Sequence, residues 1–460
     1  MYKGRLKVTA VVLSLSCAPA WSANLLDIYQ SAIQKDAQLA ASKARFDSRK
    51  ETEDQAFSGL LPQVNLGASA SFNDRTTSPN SGSDVDQETD TTQWSLSGKQ
   101  VLFNGSIWND WKAAGLSTQS AQYTYLADQQ ALTFRTATSY IEVLRAHENL
   151  TLRIAEEKAV GRQLEQTKQH FEVGLIPITD VHEAQASFDS TRVNRIVAQN
   201  DLNIAFEALT KLTGEIYGEL DALSADYPIT MPSPASAQEW VSAALNSNPA
   251  LASAQYAVQA AQENVDSSRS GHYPTIDVTA SYGEQYLDSD VSPSGSSGFQ
   301  SGDTDVQDTV VSLNFNLPLY AGGAVSSSTR QATSDLEEAR QNLIFSNRDI
   351  TQQTRTLYSL VTTNVLRIDA RKQAVVSSTS ALEATELGYE VGTRNIVDVL
   401  IAQRNLYESQ RNLTDARYDY VLNYLQLKQV SGQLAQSDME ELNQWLTGDK
   451  VTTVEVTKNL

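Results

Sequence analysis

Two short segments of this 460-residue chain share one pattern: residues 170–181, HFEVGLIPITDV, and residues 388–399, GYEVGTRNIVDV. Each segment stands between two long stretches of helical periodicity. Gly174 and Gly392 suit the left-handed conformation that closes a helix, and Pro177 suits the first turn of the helix that follows. Each segment therefore predicts the tip of a helical hairpin, and the pair predicts a specialised end of the molecule.

The two segments lie at equivalent points of an internal duplication. Pro62 and Pro274, for example, each end a helical stretch just before the hydrophobic period changes to two. A chain of this length ordinarily forms two or three globular domains, but the duplication gives a better division into two repeats. We assign residues 23–235 to the first structural repeat, residues 236–432 to the second, and residues 433–460 to a C-terminal tail segment.

The start of the chain predicts export. Residues 1–22 combine three basic residues, a short apolar run at residues 8–15 and small residues suited to cleavage. Two cleavage motifs are available, APA at residues 18–20 and AWS at residues 20–22. The sequence does not choose between them.

Charge and cysteine content exclude several classes of protein. The formal net charge is −20, and a nucleic-acid-binding protein needs clustered Lys and Arg instead. The single cysteine, Cys17, lies inside the signal segment, so the mature protein has no disulfide and no thiolate metal site. Lipid attachment at Cys17 is the alternative, but the preceding Ser14-Leu15-Ser16 is a poor lead-in for it.

Four stretches of about ten residues alternate apolar and polar side chains, which is the length of a strand that crosses a bilayer at a tilt. They are residues 63–73, 93–103, 275–285 and 309–319. The polar, acidic connections at residues 73–92 and 287–307 are expected to be external loops. After residue 22 no run approaches the ~18 apolar residues of a spanning helix, so a mature chain that crosses a membrane would do so as a β-barrel. Four strands cannot close a barrel, so two, three or four chains would share one.

The remaining regular structure is helical. Five long helices follow from the periodicity, at residues 36–57, 107–172, 178–213, 326–390 and 396–431, and short helices are predicted at residues 24–35 and 439–446. Because a helix rises about 1.5 Å per residue, the one at residues 107–172 would be roughly 100 Å long. The helices at 36–57 and 178–213, stacked end to end, nearly match that length, which favours antiparallel pairing with it.

The chain resembles the TolC family of outer-membrane efflux proteins over nearly all of the mature sequence. The resemblance rests on the duplicated plan and on the junctions LFNG at residues 102–105 and LYAGG at residues 319–323. Its most specific part is YEVGTRNIVDVL at residues 389–400. It implies a mainly α fold with a membrane β part. Long antiparallel helices would form a periplasmic α-barrel with an equatorial belt, and each chain would contribute four strands to one transmembrane β-barrel of a homotrimer.

The same resemblance implies a function in the outer membrane, with a long periplasmic portion. The trimer would be a channel-tunnel, a passive exit duct for small toxic compounds, as in multidrug resistance, or for polypeptides, as in type I secretion. A periplasmic adaptor and an inner-membrane transporter, proton-driven or ATP-driven, would open it. The alternative from another class is a non-conducting periplasmic coiled-coil spacer with a β membrane anchor.

The resemblance also implies a gate at the periplasmic end. Tyr389 matches the family tyrosine whose partner is the aspartate at Asp180, and Arg394 matches the arginine that bonds near the threonine at Thr179. Asp398 matches one aspartate of an acidic ring at the constriction. The adaptor-binding tip would comprise Gly174, Leu175, Gly392 and Thr393.

The sequence departs from the family pattern of gate residues at two positions. The family's second ring aspartate is replaced by Ile401, which predicts a thinner acidic ring and leaves cation preference open. The first tip has Phe171 where the second has Tyr389, so the tips are chemically unequal, as a gate that moves only one helix pair would need.

Each gate residue also has a simpler explanation. Asp180 and Asp398 would each stabilise the start of a helix by about 0.3–1 kcal/mol through the helix dipole. Arg394 would be a solvated loop residue, and Tyr389 would pack beneath the hairpin turn.

No catalytic arrangement is present in the sequence. The four histidines, which are His147, His170, His182 and His272, have no metal-ligand spacing, and there is no phosphate-binding Gly-rich loop or nucleophile elbow. We therefore predict that the protein is not an enzyme and holds no cofactor or metal. An exported hydrolase is the weakest alternative.

Overall fold

The computed structural model describes residues 22–78, 80, 84–293, 300–446 and 450–452. The predicted signal segment, apart from Ser22, lies outside these residues, as does the end of the predicted tail. The chain divides into two compact units. We call one the helical unit, drawn from Met1–Ala40, Asp128–Ser247 and Ile350–Leu460, and the other the sheet unit, drawn from Ala41–Ala127 and Asn248–Asp349.

The described elements follow one another in a repeating order. The helices are α1 (Leu25–Lys35), α2 (Ala37–Ser58), α3 (Gly105–Glu172), α4 (Ile178–Thr213), α5 (Ala237–Ser247), α6 (Pro249–Arg269), α7 (Ala324–Glu390), α8 (Ile396–Val430) and α9 (Gln436–Gln444). The strands are β1 (Ser22–Ala23), β2 (Gln63–Thr77), β3 (Val85–Phe103), β4 (Glu219–Asp221), β5 (Thr275–Pro293), β6 (Gln300–Asn316) and β7 (Lys450–Thr452). The order helix, strand, strand, long helix, shorter helix therefore occurs twice, from α2 to α4 and from α6 to α8.

The sheet unit contains a four-stranded antiparallel sheet in the order β2-β3-β5-β6. The register places Leu66, Leu96 and Tyr282 side by side on one face, and Trp94 meets the ring of Tyr282 edge-on at 5.5 Å between centroids. Large apolar side chains are exposed along this face; they are Val64, Leu66, Phe72, Trp94, Leu96, Tyr282, Val311, Leu313 and Phe315. The opposite face of β2 presents Gln, Asn, Ser and Gly, as an alternating strand with one apolar side requires.

The predicted external loops are wrong over most of their length. Residues 73–77 continue β2, β3 already begins at Val85, and the pairing of β5 with β6 extends to Val291 opposite Gln300. Antiparallel pairing satisfies the backbone whatever the side chains, so Ser, Thr and Asp extend these strands beyond the apolar stretch that the sequence reveals. Residues 79, 81–83 and 294–299 of the predicted loops lie outside the described part of the chain.

Among the described residues, no helix is both long enough and apolar enough to cross a bilayer.

The helical unit is built around a buried core shared by α1, α3, α4, α7, α8 and α9. Tyr140 of α3 is fully buried, and its hydroxyl donates to the carbonyl of Asp221 at 2.7 Å. Burial, followed by the charge of Asp221, raises the pKa of Tyr140 well above its ordinary value. A small sheet in the order β1-β4-β7 has no signature in the sequence, because its strands have only two or three residues and come from distant parts of the chain.

Candidate functional site

Both predicted hairpin tips lie in the helical unit, and each is closed by a glycine in the left-handed conformation. The φ angle is 77° at Gly174 and 79° at Gly392. A side chain added at either glycine would meet no atom within 4 Å among the described residues, so only backbone strain selects glycine there.

The hydrogen bonds of the two turns are also the same. The N–H of Leu175 donates to the carbonyl of His170 at 2.9 Å, and the N–H of Thr393 donates to that of Gly388 at 2.9 Å. These are the six-to-one bonds of a Schellman motif, which satisfies the last carbonyls of a helix. Both tips are thus local structures that the sequence predicts correctly.

The helices that leave the tips begin differently. Asn395 caps α8, with its side chain accepting from the N–H of Asp398 at 2.9 Å and the Asp398 carboxylate accepting from the N–H of Asn395 at 3.5 Å. Pro177 is the corresponding residue before α4 and makes no side-chain cap. We had predicted Pro177 within the first turn of α4, but it lies just before that turn. Its extended backbone (ψ 159°) belongs to the tip and not to the helix.

The residues predicted to form a gate lie at the two tips, and two of them make local contacts. The described ion pair of Arg394 joins its Nη1 to Oδ2 of Asp398 at 3.8 Å, within the second tip. Thr179 donates instead to Oδ1 of its neighbour Asp180 at 3.3 Å. Within the described residues, the structure therefore does not join Arg394 to Thr179 by a hydrogen bond.

Tyr389 connects the two tips by packing. Its ring stacks on that of His170 with 6.3 Å between centroids, and it covers a small apolar cluster. The cluster contains Val160, Leu164, Ala184, Ile396 and Leu400, with Phe188 against it. The tips of the α3–α4 and α7–α8 hairpins therefore share one small core.

The hydroxyl of Tyr389 is shielded and finds no hydrogen-bond partner within the described residues. Burial and then the charge of Asp180 raise the pKa of Tyr389. Thr167 is close enough to oppose this shift slightly, but its hydroxyl donates to the carbonyl of Gln163 at 2.7 Å. Tyr389 and Asp180 are thus electrostatic neighbours without a direct bond.

An ion network that the sequence did not predict lies further along α3 and α8. Glu156 is only 3% exposed, and its Oε2 accepts from Nη1 of Arg153 at 3.0 Å and from Nη1 of Arg411 at 3.1 Å. Farther from the tips, Asp419 of α8 accepts from Arg145 and Arg367, each at 3.0 Å. In sequence, such charges resemble ordinary solvated helix faces, and no local pattern marks them as partners.

Two grooves that share lining residues lie beside this network. One of about 450 Å³ is bordered by Glu183, Ser190, Ile401 and Arg404, and the next, of about 550 Å³, by Asp201 and Asp415. Arg153 and Arg411 border both grooves. The searched, described residues contain no group of three or more His, Cys, Asp or Glu side chains able to hold a metal ion.

The fold is that of known outer-membrane channels. The chain superposes on the solved structure of CusC with a TM-score of 0.74 at 18% identity, covering 91% of this chain and 95% of that one. It superposes on VceC from Vibrio cholerae with a TM-score of 0.73 at 20% identity, covering 89% and 96%. The predicted fold class is therefore confirmed.

The family model described as Outer membrane efflux protein matches residues 28–215 and 240–433, and the chain belongs to this family. It is 38% identical to outer membrane protein TolC of Vibrio cholerae serotype O1, over 95% of this chain and 96% of that protein. It is 37% identical to outer membrane protein TolC of Escherichia coli K12, over 92% and 85%. The proteases secretion protein PrtF of Dickeya chrysanthemi is 29% identical, over 95% and 94%.

These relatives establish the coarse function. The chain is an outer-membrane protein with a long periplasmic part, and it serves as an efflux or secretion duct. The family is one of channel proteins rather than enzymes. The spacer alternative is not favoured.

Proposed function

We propose that three copies of this chain form one exit duct, which is closed at the hairpin tips and opened there by a periplasmic adaptor and an inner-membrane transporter. The observation that carries this proposal is the small core shared by the two tips, with Tyr389 packed on His170. A contact of so few side chains is weak enough to be broken by a binding partner. Repetition in three chains would still make closure cooperative.

The sheet supports an assembly of this kind. Among the described residues, β2 and β6 are the edges of this sheet and pair with no further strand, and unpaired backbone groups are costly in lipid. Strands from three chains would pair these edges, and the exposed apolar face of each sheet would contact outer-membrane lipid. In this assembly each chain contributes its two structural repeats, residues 23–235 and 236–432, and the tail at residues 433–460.

The gate would work through the inequality of the tips. Arg394 and Asp398 pair within the second tip, whereas the carboxylate of Asp180 accepts only from Thr179 among the described residues. The α7–α8 tip would therefore move as a self-contained piece away from the α3–α4 tip. Asp398 would line the constriction with a single acidic ring.

The turn residues would receive the adaptor. Leu175 is 71% exposed, and the neighbouring Val173 and Val391 are 70% and 74% exposed. With Gly174, Gly392 and Thr393, they give each tip a small apolar knob with accessible backbone. The cargo would be small toxic compounds or secreted proteins, and the transporter would be proton-driven or ATP-driven.

Single-channel conductance in a planar bilayer tests this proposal. The mature protein should conduct weakly, and Tyr389→Ala, which removes the ring that packs on His170 across the two tips, should raise the occupancy of the open state by about fivefold, as expected for the loss of an aromatic contact worth about 1 kcal/mol. The matched control is Lys372→Ala, which removes an exposed pair with Asp369 within α7 and should change nothing. No channel from a folded, inserted protein would overturn the proposal.

A further inference from the structure

The Glu156 carboxylate joins two helices through a single oxygen. Oε2 of Glu156 accepts from Arg153 of the same helix, α3, and from Arg411 of α8, at 3.0 and 3.1 Å. Both arginines border the solvent-accessible grooves, whereas Glu156 is 3% exposed. The contact lies 13 residues after Asp398 along α8, which is roughly 20 Å of helix from the tip.

Separating a buried ion pair is normally costly because one charge is left without compensation. Here each helix keeps a partner of its own. Arg153 stays beside Glu156, three residues away on α3. Arg411 has Glu408 and Asp415 one turn before and after it on α8, and all three border the second groove.

The closed contact also contains a repulsion. Burial and then the charge of Arg153 lower the pKa of Arg411, while Glu156 and Glu408 act in the opposite direction. Two guanidinium groups on one oxygen therefore hold α8 less tightly than a single pair would. Release of Arg411 would relieve this repulsion.

Farther from the tip, α8 is more firmly anchored. Tyr418 is 2% exposed, and its hydroxyl donates to Glu148 of α3 at 2.7 Å. Asp419 binds both Arg145 of α3 and Arg367 of α7. The Glu156 contact thus lies between this fixed part of α8 and the small core at the tips.

We propose that Arg153, Glu156 and Arg411 form a releasable ion clasp, a second latch that holds the tip-proximal part of α8 on α3 in the closed duct. This inference rests on the proposed gating of the duct. Glu156 and Arg411 provide the attraction. Arg153 lowers the free energy needed to separate Arg411 from Glu156, because it weakens the closed contact and neutralises Glu156 after α8 has moved. These are positioning residues of the gate.

The two arginines should then have opposite effects on gating in the full-length trimer in planar bilayers. Arg411→Gln should raise the occupancy of the open state by about fivefold, because it removes the attraction. Arg153→Gln should lower it, because Arg411 and Glu156 become an undisturbed pair. Adding Glu156→Gln to Arg411→Gln should not raise the occupancy of the open state further, because both changes remove the same contact between Glu156 and Arg411.

The matched control is Arg195→Gln, which removes an ion pair with Glu157 between α3 and α4 and does not involve α8. It should leave the occupancy unchanged, and heat resistance of the trimer on a gel should show that every variant is folded. Effects of Arg411→Gln and Arg153→Gln in the same direction, or no effect of either, would overturn the clasp. Conductance that responds to the tip variant alone overturns only the clasp, whereas no conductance from any folded protein overturns the duct as well.

Discussion

The two hairpin tips have the same backbone and different side-chain bonds. Each closes on a left-handed glycine with the same hydrogen bond across the turn. After the turn, Asp398 contacts both Asn395 and Arg394, while Pro177 leaves the start of α4 without a side-chain cap. Duplication thus preserved what the chain needs in order to turn, whereas the side chains that follow the turn diverged.

The largest effect should come from the feature that the tips share. Gly174→Val and Gly392→Val should each destabilise their tip by about 1–2 kcal/mol or more, because a left-handed residue with a Cβ costs that much and a branched one costs more. Hydrogen exchange of the adjoining turns would measure this. Gly174→Asn and Gly392→Asn should cost less, since Asn tolerates this conformation. Clearly unequal losses at the two tips would contradict the equality of their backbones.

The next effect concerns the side-chain cap, which α8 has at its first turn and α4 lacks. Asn395→Ala should destabilise the first turn of α8 by about 1 kcal/mol, the usual cost of losing a cap, whereas Pro177→Ala should not weaken a cap in α4. Pro177→Asn would copy the capping residue into the first tip, where Asp180 stands three residues later, and should stabilise α4 by about 0.5–1 kcal/mol. Hydrogen exchange of the two first turns separates these outcomes. If Pro177→Ala destabilised the first turn of α4 as much as Asn395→Ala destabilises that of α8, the two helix starts would not differ in capping.

The smallest effect concerns His147, which lies in α3 away from the tips. Burial lowers the pKa of His147, against the smaller opposing effect of Glu148. The folded state therefore binds fewer protons at His147 than the unfolded state, and stability is lost as the pH falls below about 6.5 towards the folded pKa.

His147→Gln removes this loss, so the variant should gain stability relative to the parent at pH 5 compared with pH 8. Thermal unfolding at both values would measure it. His182→Gln, at an exposed position in the first turns of α4, is the control. An equal gain in the control would show that burial of His147 is not the cause.

Much of the fold could be predicted because its signals are local. Helix α4 begins and ends at the predicted residues 178 and 213, since a proline and two glycines bound an uninterrupted helical period. The positions of the four long strands could be predicted but their lengths could not, because the pairing continues into polar sequence as far as Val85 opposite Pro293. The gate itself stays a prediction; within the chain, Tyr389 packs on His170 across the tips and Arg394 pairs with Asp398.

The sequence by itself determined where the chain turns at the tips, which of its longer segments are helices and strands, and that the two halves repeat. Those features depend on residues within a few positions of one another. Only the tertiary structure decided that Arg411 meets Glu156, 255 residues away, and that Tyr389 packs on His170. The partner of a charge or an aromatic ring is set by which faces of distant helices come together. That choice depends on packing over the whole unit, so the residues nearest in sequence do not reveal it.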